Sequence, residues 1–151
     1  MKNLKLLREE ALQFVADKDI AVAGASRNPK KFGNIVYHTL KSKGLNVYPL
    51  NPNIDTLDND LCYKSLQDLP AHVKNLIVLL KPAETEKIVK DAVAKGITKI
   101  WIQQGSESAE AIKTAKEGGL NVITGKCILM YANPTGFHKF HMRMNKLFGK
   151  Y

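Results

Sequence analysis

The stretch that decides the fold spans residues 20–29 and has the sequence Ile20-Ala21-Val22-Ala23-Gly24-Ala25-Ser26-Arg27-Asn28-Pro29. Its first half is a run of small and β-branched residues, which predicts a buried strand. Gly24 permits a tight turn, and residues 32–43 have the pattern of a following helix. The backbone N–H groups and the positive end of that helix then face one point, where we expect a phosphate group to bind.

The end of the second predicted strand lacks the acidic residue of a standard dinucleotide site. A dinucleotide-binding unit has an Asp or Glu about 20 residues after its glycine-rich turn, where the carboxylate holds the adenosine ribose. This chain has Leu50-Asn51-Pro52-Asn53 at that place. We therefore predict a nucleotide site that is not a standard NAD site.

Hydrophobic runs of strand length alternate with helical segments along the chain, which is typical of a parallel sheet covered by helices. The predicted strands are residues 20–24, 46–50, 75–80, 99–103 and 121–124. The predicted helices are residues 5–16, 32–43, 82–95 and 108–117, with a short turn at 65–69 and a further helix at 138–148. This order predicts an α/β, Rossmann-like three-layer fold with a five-stranded, mainly parallel sheet flanked by helices.

The loops after the strands are expected to meet at the carboxyl edge of the sheet, where ligands bind in such folds. The segments that would line one pocket are residues 25–33, 51–53, 81–82 and 104–106. Cations at Arg27, Lys30 and Lys31 would suit phosphate groups, and Asn51 would offer neutral hydrogen bonding. Prolines in these loops would form stiff apolar walls.

Length and composition indicate one domain. A chain of 151 residues with 44% apolar and 25% charged residues buries an adequate core, and no apolar run approaches the roughly 20 residues of a membrane span. The N-terminal residues mix acidic and basic side chains without a signal-peptide pattern. Two distant cysteines predict neither a disulfide framework nor a zinc site. We expect a cytoplasmic protein without a membrane partner.

The formal net charge of +9 is the one unusual feature of the composition. The lysines are dispersed along the chain, which favours a solvated surface that attracts anions over distance at low salt. No basic motif interleaved with aromatic residues is present, so we do not expect a nucleic-acid partner. Residues 131–151 are predicted to form a basic amphipathic tail whose apolar face would pack either inward or against a second copy of the chain. Packing against a second copy would make a homo-oligomer.

The sequence contains no recognisable catalytic or metal-binding set. His138 and His141 are three residues apart, but no carboxylate or thiolate stands near them in sequence. Gln103-Gln104-Gly105 follows an apolar strand, and amide side chains bind ligands but are poor acids or bases. Trp101 and Cys127 are predicted to be core residues.

Six motifs occur in order between residues 18 and 130. They are Gly24-Ala25-Ser26-Arg27-Asn28-Pro29 with Lys31-Phe32-Gly33-Asn34, Val47-Tyr48-Pro49-Leu50-Asn51-Pro52, Cys62-Tyr63 with Ser65-Leu66 and Leu69-Pro70, Lys81-Pro82, Ile100-Trp101-Ile102-Gln103-Gln104-Gly105, and Gly125-Lys126-Cys127-Ile128-Leu129-Met130. In combination they resemble the small CoA-binding domain proteins related to the nucleotide domain of succinyl-CoA synthetase α subunits.

The resemblance covers residues 18–130 and implies a Rossmann-type fold and a CoA site. We expect residues 1–151 to form a single CoA-binding domain. The first loop would take phosphate, and the loops after the second and third strands would lie along the nucleotide and the pantetheine arm. The implied binding residues are Gly24, Ala25, Ser26, Arg27, Asn28, Lys30, Lys31, Phe32, Gly33, Pro49, Asn51, Pro52, Lys81, Pro82 and Gln104.

The expected function is binding of CoA or acyl-CoA without catalysis by this chain alone, as a sensor, carrier or accessory module. In the related ligases the phosphorylated histidine and the second substrate site lie in additional domains. A disulfide between Cys127 and CoA is a minor alternative. The residues alone also leave open an NADP- or other nucleotide-binding enzyme, because the 2′-phosphate of NADP equally excludes an acidic ribose contact.

Overall fold

The computed structural model describes residues 3–132, and its centre is a five-stranded parallel sheet. The strands are β1 (Asp19–Ala23), β2 (Asn46–Leu50), β5 (Asn75–Val78), β6 (Lys99–Ile102) and β7 (Asn121–Thr124), and a hairpin between β2 and β5 supplies β3 and β4. The order across the sheet is β2-β1-β5-β6-β7, and every neighbouring pair is parallel. The predicted Rossmann-like fold is confirmed.

The helices also follow the sequence pattern closely. They are α1 (Leu4–Ala16), α2 (Phe32–Ser42), α3 (Pro82–Lys95), α4 (Ala109–Glu117) and a short α5 (Leu129–Ala132), with a 3-10 helix at Leu66–Asp68. Pro82 opens α3, where no backbone donor is needed, and Gly96 ends it with a φ of +88°. The sequence pattern did not predict α5. The predicted helix at 138–148 and most of the predicted tail lie outside the described residues.

Each face of the sheet has its own core because side chains alternate along a strand. Ile20 and Val22 of β1 pack with α1, α2 and α5, whereas Ala21 and Ala23 pack with α3 and α4. Trp101 is fully buried, as predicted, and its ring lies 5.4 Å from that of Phe14. Burial on both faces explains why the strands are continuous apolar runs and not alternating ones. Within residues 3–132, no helix has the length and apolar character needed to span a membrane.

Three strands end earlier than predicted. The ladder stops at Ala23, Val78 and Ile102, one or two residues before the apolar pattern ends. The residues beyond those ends still donate backbone hydrogen bonds to a neighbouring strand: Gly24 to Leu50, Leu79 to Ala23 and Gln103 to Val78. All three residues line the cavity described below.

The hairpin consists of β3 (Thr56–Leu57) and β4 (Asp60–Leu61) and was not predicted. Its two turn residues, Asp58 and Asn59, both have positive φ, at 48° and 68°. Such a two-residue turn matches the twist of short antiparallel strands. Strands of two residues have no measurable period, so only the Asp-Asn pair could have signalled the hairpin.

The sheet has its topological switch point between β1 and β5. These strands are neighbours, but β1 leads into α2 on one face and β5 leads into α3 on the other. The two connections therefore separate at the carboxyl ends of the strands and leave a crevice there, which is where open α/β sheets bind ligands.

Candidate functional site

A cavity of about 600 Å³ occupies the switch point. Its walls come from the loops that follow four of the strands, β1, β2, β5 and β6. The lining residues are Gly24, Ala25, Ser26, Lys31, Phe32, Gly33, Asn51, Leu79, Leu80, Lys81, Pro82, Glu84, Gln103, Gly105 and Ser106. Loops that are far apart in sequence thus converge on one space, as the alternating pattern of elements predicts.

Most residues proposed from the sequence lie around this cavity. Those that the structure brings together are Gly24, Ala25, Ser26, Lys31, Phe32, Gly33, Asn51, Lys81 and Pro82. Those outside its lining are Arg27, Asn28, Lys30, Pro49, Pro52 and Gln104. The lining residues that the sequence did not suggest include Leu79, Leu80 and Glu84, whereas Gln103 belongs to the Gln103-Gln104-Gly105 segment whose amides were expected to bind a ligand.

Three of the residues outside the lining, Arg27, Asn28 and Pro49, have other structural roles. The Arg27 guanidinium donates from Nε and Nη2 to the Thr56 carbonyl, at 3.0 and 2.8 Å, and so holds the hairpin. Asn28 Oδ1 accepts from the Lys30 N–H at 3.0 Å and closes a turn of the first loop. Pro49 is buried in β2, which is an edge strand of the sheet. Proline has no backbone N–H, and at an edge strand this loses no hydrogen bond to a neighbouring strand.

Two glycines let backbone segments touch at the mouth of the cavity. Gly24 has a φ of +97°, and a Cβ there would lie 2.4 Å from the Leu79 carbonyl oxygen. A Cβ on Gly33 would lie 1.8 Å from the Gly24 carbonyl oxygen. The first turn of α2 therefore lies directly against the loop after β1.

Two asparagines, one in α2 and one just after β2, hold that loop. Asn34 Nδ2 donates to the Ser26 carbonyl and Asn51 Nδ2 donates to the Ala25 carbonyl, both at 2.8 Å. Asn51 Oδ1 also accepts from the Asn53 N–H at 2.8 Å. The Asn51 amide therefore braces the loop, and the residue also lines the cavity. Asn34 was not among the proposed residues, although its burial in the first turn of a helix is a signal that it has a polar partner.

The open side of the loop is suited to an anion. Phe32 and Gly33 open α2 and line the cavity, so the positive end of the helix dipole points toward it. The Ser26 hydroxyl, which accepts from the Asn28 N–H at 3.1 Å, also lies on the lining. Lys31 and Lys81 stand exposed on the rim, with Glu84 beside the α3 end.

The floor of the cavity contains a buried amide, that of Gln103. This side chain is 1% exposed, and its Oε1 accepts from the Ile128 N–H at 3.0 Å. Its Nε2 is buried as well. Burial raises the pKa of the neighbouring Cys127 thiol, and a hydrogen bond from the Gln103 side chain acts in the opposite direction. Cys127 is buried, as predicted, and does not line the cavity.

The cavity lining contains few groups that could carry chemistry. Its titratable side chains are Lys31, Lys81 and Glu84, all exposed on the rim. His38 and His72 lie elsewhere, near Asp58 and Tyr48 respectively, and His138 and His141 are outside the described residues. In the described part of the chain, no three metal-ligating side chains cluster together. The arrangement is suited to holding a ligand by hydrogen bonds, charge and apolar contact.

A family model for a CoA binding domain matches residues 18–133 of this chain. The match begins just before β1 and includes all five strands of the sheet and every residue of the cavity lining.

Among curated proteins, this chain is similar in sequence to parts of ADP-forming acetate–CoA ligases. The alpha subunit of an ADP-forming acetate–CoA ligase II from Pyrococcus furiosus is 27% identical over 146 residues, which are 89% of this chain and 30% of that protein. An ADP-forming acetate–CoA ligase II from Archaeoglobus fulgidus is 30% identical over 118 residues, which are 70% of this chain and 18% of that protein. The chain therefore spans less than a third of the length of these relatives.

This chain is also similar to solved structures of small proteins, and the match covers most of the length of those proteins. A conserved hypothetical protein from Pyrococcus furiosus is 38% identical with a TM-score of 0.73, covering 75% of this chain and 97% of that chain. A hypothetical protein from Pyrococcus horikoshii is 31% identical with a TM-score of 0.77, covering 83% of this chain and 89% of that chain. The same fold thus occurs both as most of a small protein and as one part of a ligase.

Proposed function

Since this chain belongs to the CoA binding domain family, we propose that it binds CoA or an acyl-CoA in the switch-point cavity and catalyses no reaction by itself. It would act as a sensor, a carrier or an accessory module. One observation carries the proposal: the first loop, held by Asn34 and Asn51, lines the same cavity as the start of α2 and the residues Lys31 and Lys81.

The first loop supports binding of the phosphate groups. The Ser26 and Ala25 carbonyls accept hydrogen bonds from Asn34 and Asn51, and these contacts hold the loop in place beside the cavity. The start of α2 and the Lys31 side chain add positive potential beside the cavity. A loop that is already ordered loses little conformational entropy when a ligand binds.

The middle of the cavity supports a long, weakly polar arm. Leu79, Leu80 and Pro82 follow β5 and form an apolar wall between the first loop and the β6 end. Pantetheine has a chain of methylene and amide groups that such a wall accommodates. The family match supports CoA as the ligand and gives no support to NADP.

Two observations support the proposal that the chain is not an enzyme by itself: the side chains that line the cavity and the greater length of the related ligases. No side chain in the lining is placed as a buried general base or nucleophile. The relatives named as acetate–CoA ligases are more than three times as long as the part they share with this chain. We infer that the shared part supplies ligand binding, and that any ligation would need further partners.

The test is calorimetric titration of the protein with CoA, acetyl-CoA, NAD, NADP and ATP. We expect binding of CoA or acetyl-CoA only. The variant Lys31→Ala should weaken CoA binding about threefold to tenfold, because one cation near the phosphates is lost. The matched control is Lys30→Ala, which removes an exposed lysine of the same loop that does not line the cavity.

Two results would contradict the proposal. Binding of NADP without CoA would place the protein among nucleotide-binding enzymes. Equal losses of affinity in Lys30→Ala and Lys31→Ala would show that the phosphates lie outside the cavity, along the exposed face of the loop.

A further inference from the structure

Two helices begin at the cavity, and a lysine stands at the start of each. Lys31 is the N-cap residue of α2 and Lys81 is the N-cap residue of α3, and neither side chain makes a capping hydrogen bond. The helices α1 and α4 are capped by Asn3 and Ser108, whose side chains accept from backbone N–H groups at 2.8 and 3.0 Å. A cation at the positive end of a helix dipole does not stabilise the helix. Helix stability therefore does not explain a lysine at either position.

The Lys81 amine has no partner in the described part of the chain. Its side chain is exposed and lines the cavity. Within residues 3–132 its ammonium group forms no ion pair, although the Glu84 carboxylate follows three residues later. Lys41 and Lys99, in contrast, are each paired with an aspartate. The amine of a lysine is a nucleophile when it is neutral, so Lys81 presents an unpaired nucleophile to the cavity.

Lys81 lies along the expected path of the ligand's arm. Leu79 is against the first loop, because its carbonyl oxygen would be 2.4 Å from a Cβ on Gly24. Residues 80–82 then lead from that point to the start of α3, and all three line the cavity. A ligand whose phosphates bind at the first loop and whose pantetheine arm follows this wall brings its sulfur end toward Lys81. Lys31 lies beside the first loop, at the start of α2.

We propose that Lys81 is acylated by an acyl-CoA bound in the cavity. The neutral amine of Lys81 attacks the acyl carbon, an amide bond forms at Nζ, and the C–S bond of the thioester breaks. The proton that the attacking amine loses ends on the sulfur, so that CoA leaves as the free thiol and no other reactant is needed. Each chain reacts once, so the step is a modification of the protein and not a catalytic cycle. This inference rests on the proposed function and gives the same site a means of regulation.

Acylation changes the charge of the cavity rim. The described lining has two cations, Lys31 and Lys81, and one anion, Glu84. The new amide removes the positive charge of Lys81, so one cation and one carboxylate remain at a site that has to hold several phosphate charges. The acylated protein should therefore bind CoA severalfold more weakly than the unmodified protein. A sensor of acyl-CoA would in this way keep a lasting record of its exposure to the ligand.

The test is the rate of acetylation of individual lysines, measured by mass spectrometry of peptides after incubation of the protein with acetyl-CoA. Lys87 is the internal control, because it is an exposed lysine of α3 that does not line the cavity. A ligand held beside Lys81 has an effective concentration on the order of 1 mM, so at about 0.1 mM acetyl-CoA we expect Lys81 to react about tenfold faster than Lys87. The Lys81 rate should level off as the acetyl-CoA concentration rises, whereas the Lys87 rate should rise in proportion.

A ligand without an acyl group separates binding from intrinsic reactivity. Desulfo-CoA has the phosphates and the arm of CoA but no sulfur. A saturating concentration of it should reduce the Lys81 rate to that of Lys87 and leave the Lys87 rate unchanged. The variant Lys31→Ala, which weakens binding, should lower the Lys81 rate about threefold to tenfold at low acetyl-CoA concentration, and Lys30→Ala should leave that rate unchanged.

The outcomes separate this inference from the proposed function. Equal rates at Lys81 and Lys87, or a preferential reaction at Lys31, overturn the inference while calorimetry still detects binding of CoA. A fast reaction at Lys81 that desulfo-CoA does not suppress also overturns it, because the amine then reacts with acetyl-CoA from solution. Absence of both CoA and acetyl-CoA binding in calorimetry overturns the proposed function itself.

Discussion

At the scale of single residues, the cavity depends on positions where a side chain would collide with backbone. Gly24 and Gly33 are such positions, because the atoms that a new Cβ would meet are carbonyl oxygens at 2.4 and 1.8 Å. A flexible side chain could move away from such a contact, but these carbonyls belong to the β5 end and to the first loop. Their displacement would open the junction on which the proposed phosphate contacts rest.

The first prediction concerns Gly24→Ala. We expect it to lower the free energy of unfolding by about 3 kcal/mol or more, because the substitution combines a positive φ with a backbone clash. Gly44→Ala is the control: Gly44 has a φ of +84°, but nothing lies within 4 Å of its added Cβ. That variant should lose only about 1 kcal/mol. Chemical denaturation measures both, and equal losses would show that the contact with Leu79 is not restrictive.

At the scale of elements, the β3–β4 hairpin is held by side-chain hydrogen bonds to two neighbouring segments. Its strand β3 is bonded to the first loop, and its strand β4 is bonded to α2. Arg27 holds β3 to the first loop through the Thr56 carbonyl. Tyr37 and Lys41 of α2 both contact the Asp60 carboxylate at β4, the lysine at 2.5 Å. A hairpin with two-residue strands is too small to be stable alone, so these contacts supply what its ladder cannot.

The Tyr37 contact predicts a dependence of stability on alkaline pH. Burial, together with the hydrogen bond to Asp60, raises the pKa of Tyr37 to about 12 from an ordinary value near 10. Between these two values the folded protein keeps the phenol proton and the unfolded chain loses it. Stability from this group is therefore complete below about pH 10 and is lost as pH rises toward 12.

The variant Tyr37→Phe tests this dependence. It should unfold about 1 kcal/mol more easily at neutral pH, because the hydrogen bond to Asp60 is lost. Between pH 10 and 12, its stability should fall less than that of the unmodified protein, by roughly 1–2 kcal/mol. The internal control is the range from about pH 6 to 9, where Tyr37 is protonated in both folded and unfolded chains and the two curves should run parallel. Curves that stay parallel above pH 10 would mean that Tyr37 ionises freely.

At the scale of the whole molecule, we expect the net positive charge of the protein to strengthen the binding of a ligand that carries phosphate groups. The chain has 23 Lys and Arg residues against 14 Asp and Glu residues, for a formal net charge of +9. A surface of this sign attracts a polyanion such as CoA over distances that salt screens. The same potential acts little on a ligand without phosphate groups.

Salt dependence is therefore the prediction at this scale. Raising the salt concentration from about 20 to about 200 mM should increase the Kd of CoA severalfold, while the binding of pantetheine, which lacks the phosphates, should change less than about twofold. Calorimetric titration at both salt concentrations measures the two ligands. If the Kd of CoA were independent of salt, its phosphates could not lie near the lysines of the cavity rim.

Much of the fold could be predicted because its signals are local. The run from Ile20 to Ala23 predicts a strand buried on both faces, and Pro82 and Gly96 mark the two ends of α3. The elements with no local signal were not predicted: the two-residue strands of the hairpin are too short to show a period, and α5 has four residues. Side chains near the first loop were assigned to a ligand by type alone, and charge does not reveal that Arg27 has the Thr56 carbonyl as its partner.

The sequence by itself determined the order of elements, the glycine turn after β1 and the convergence of loops at the carboxyl edge, because short-range periodicity and backbone sterics settle these. Only the tertiary structure decided which side chains face the cavity. Gln103 and Gln104 are adjacent and chemically identical, yet one is buried at the floor and the other is exposed. The turn after β6 and the Ile128 N–H select between them, and those contacts exist only once distant segments have packed together.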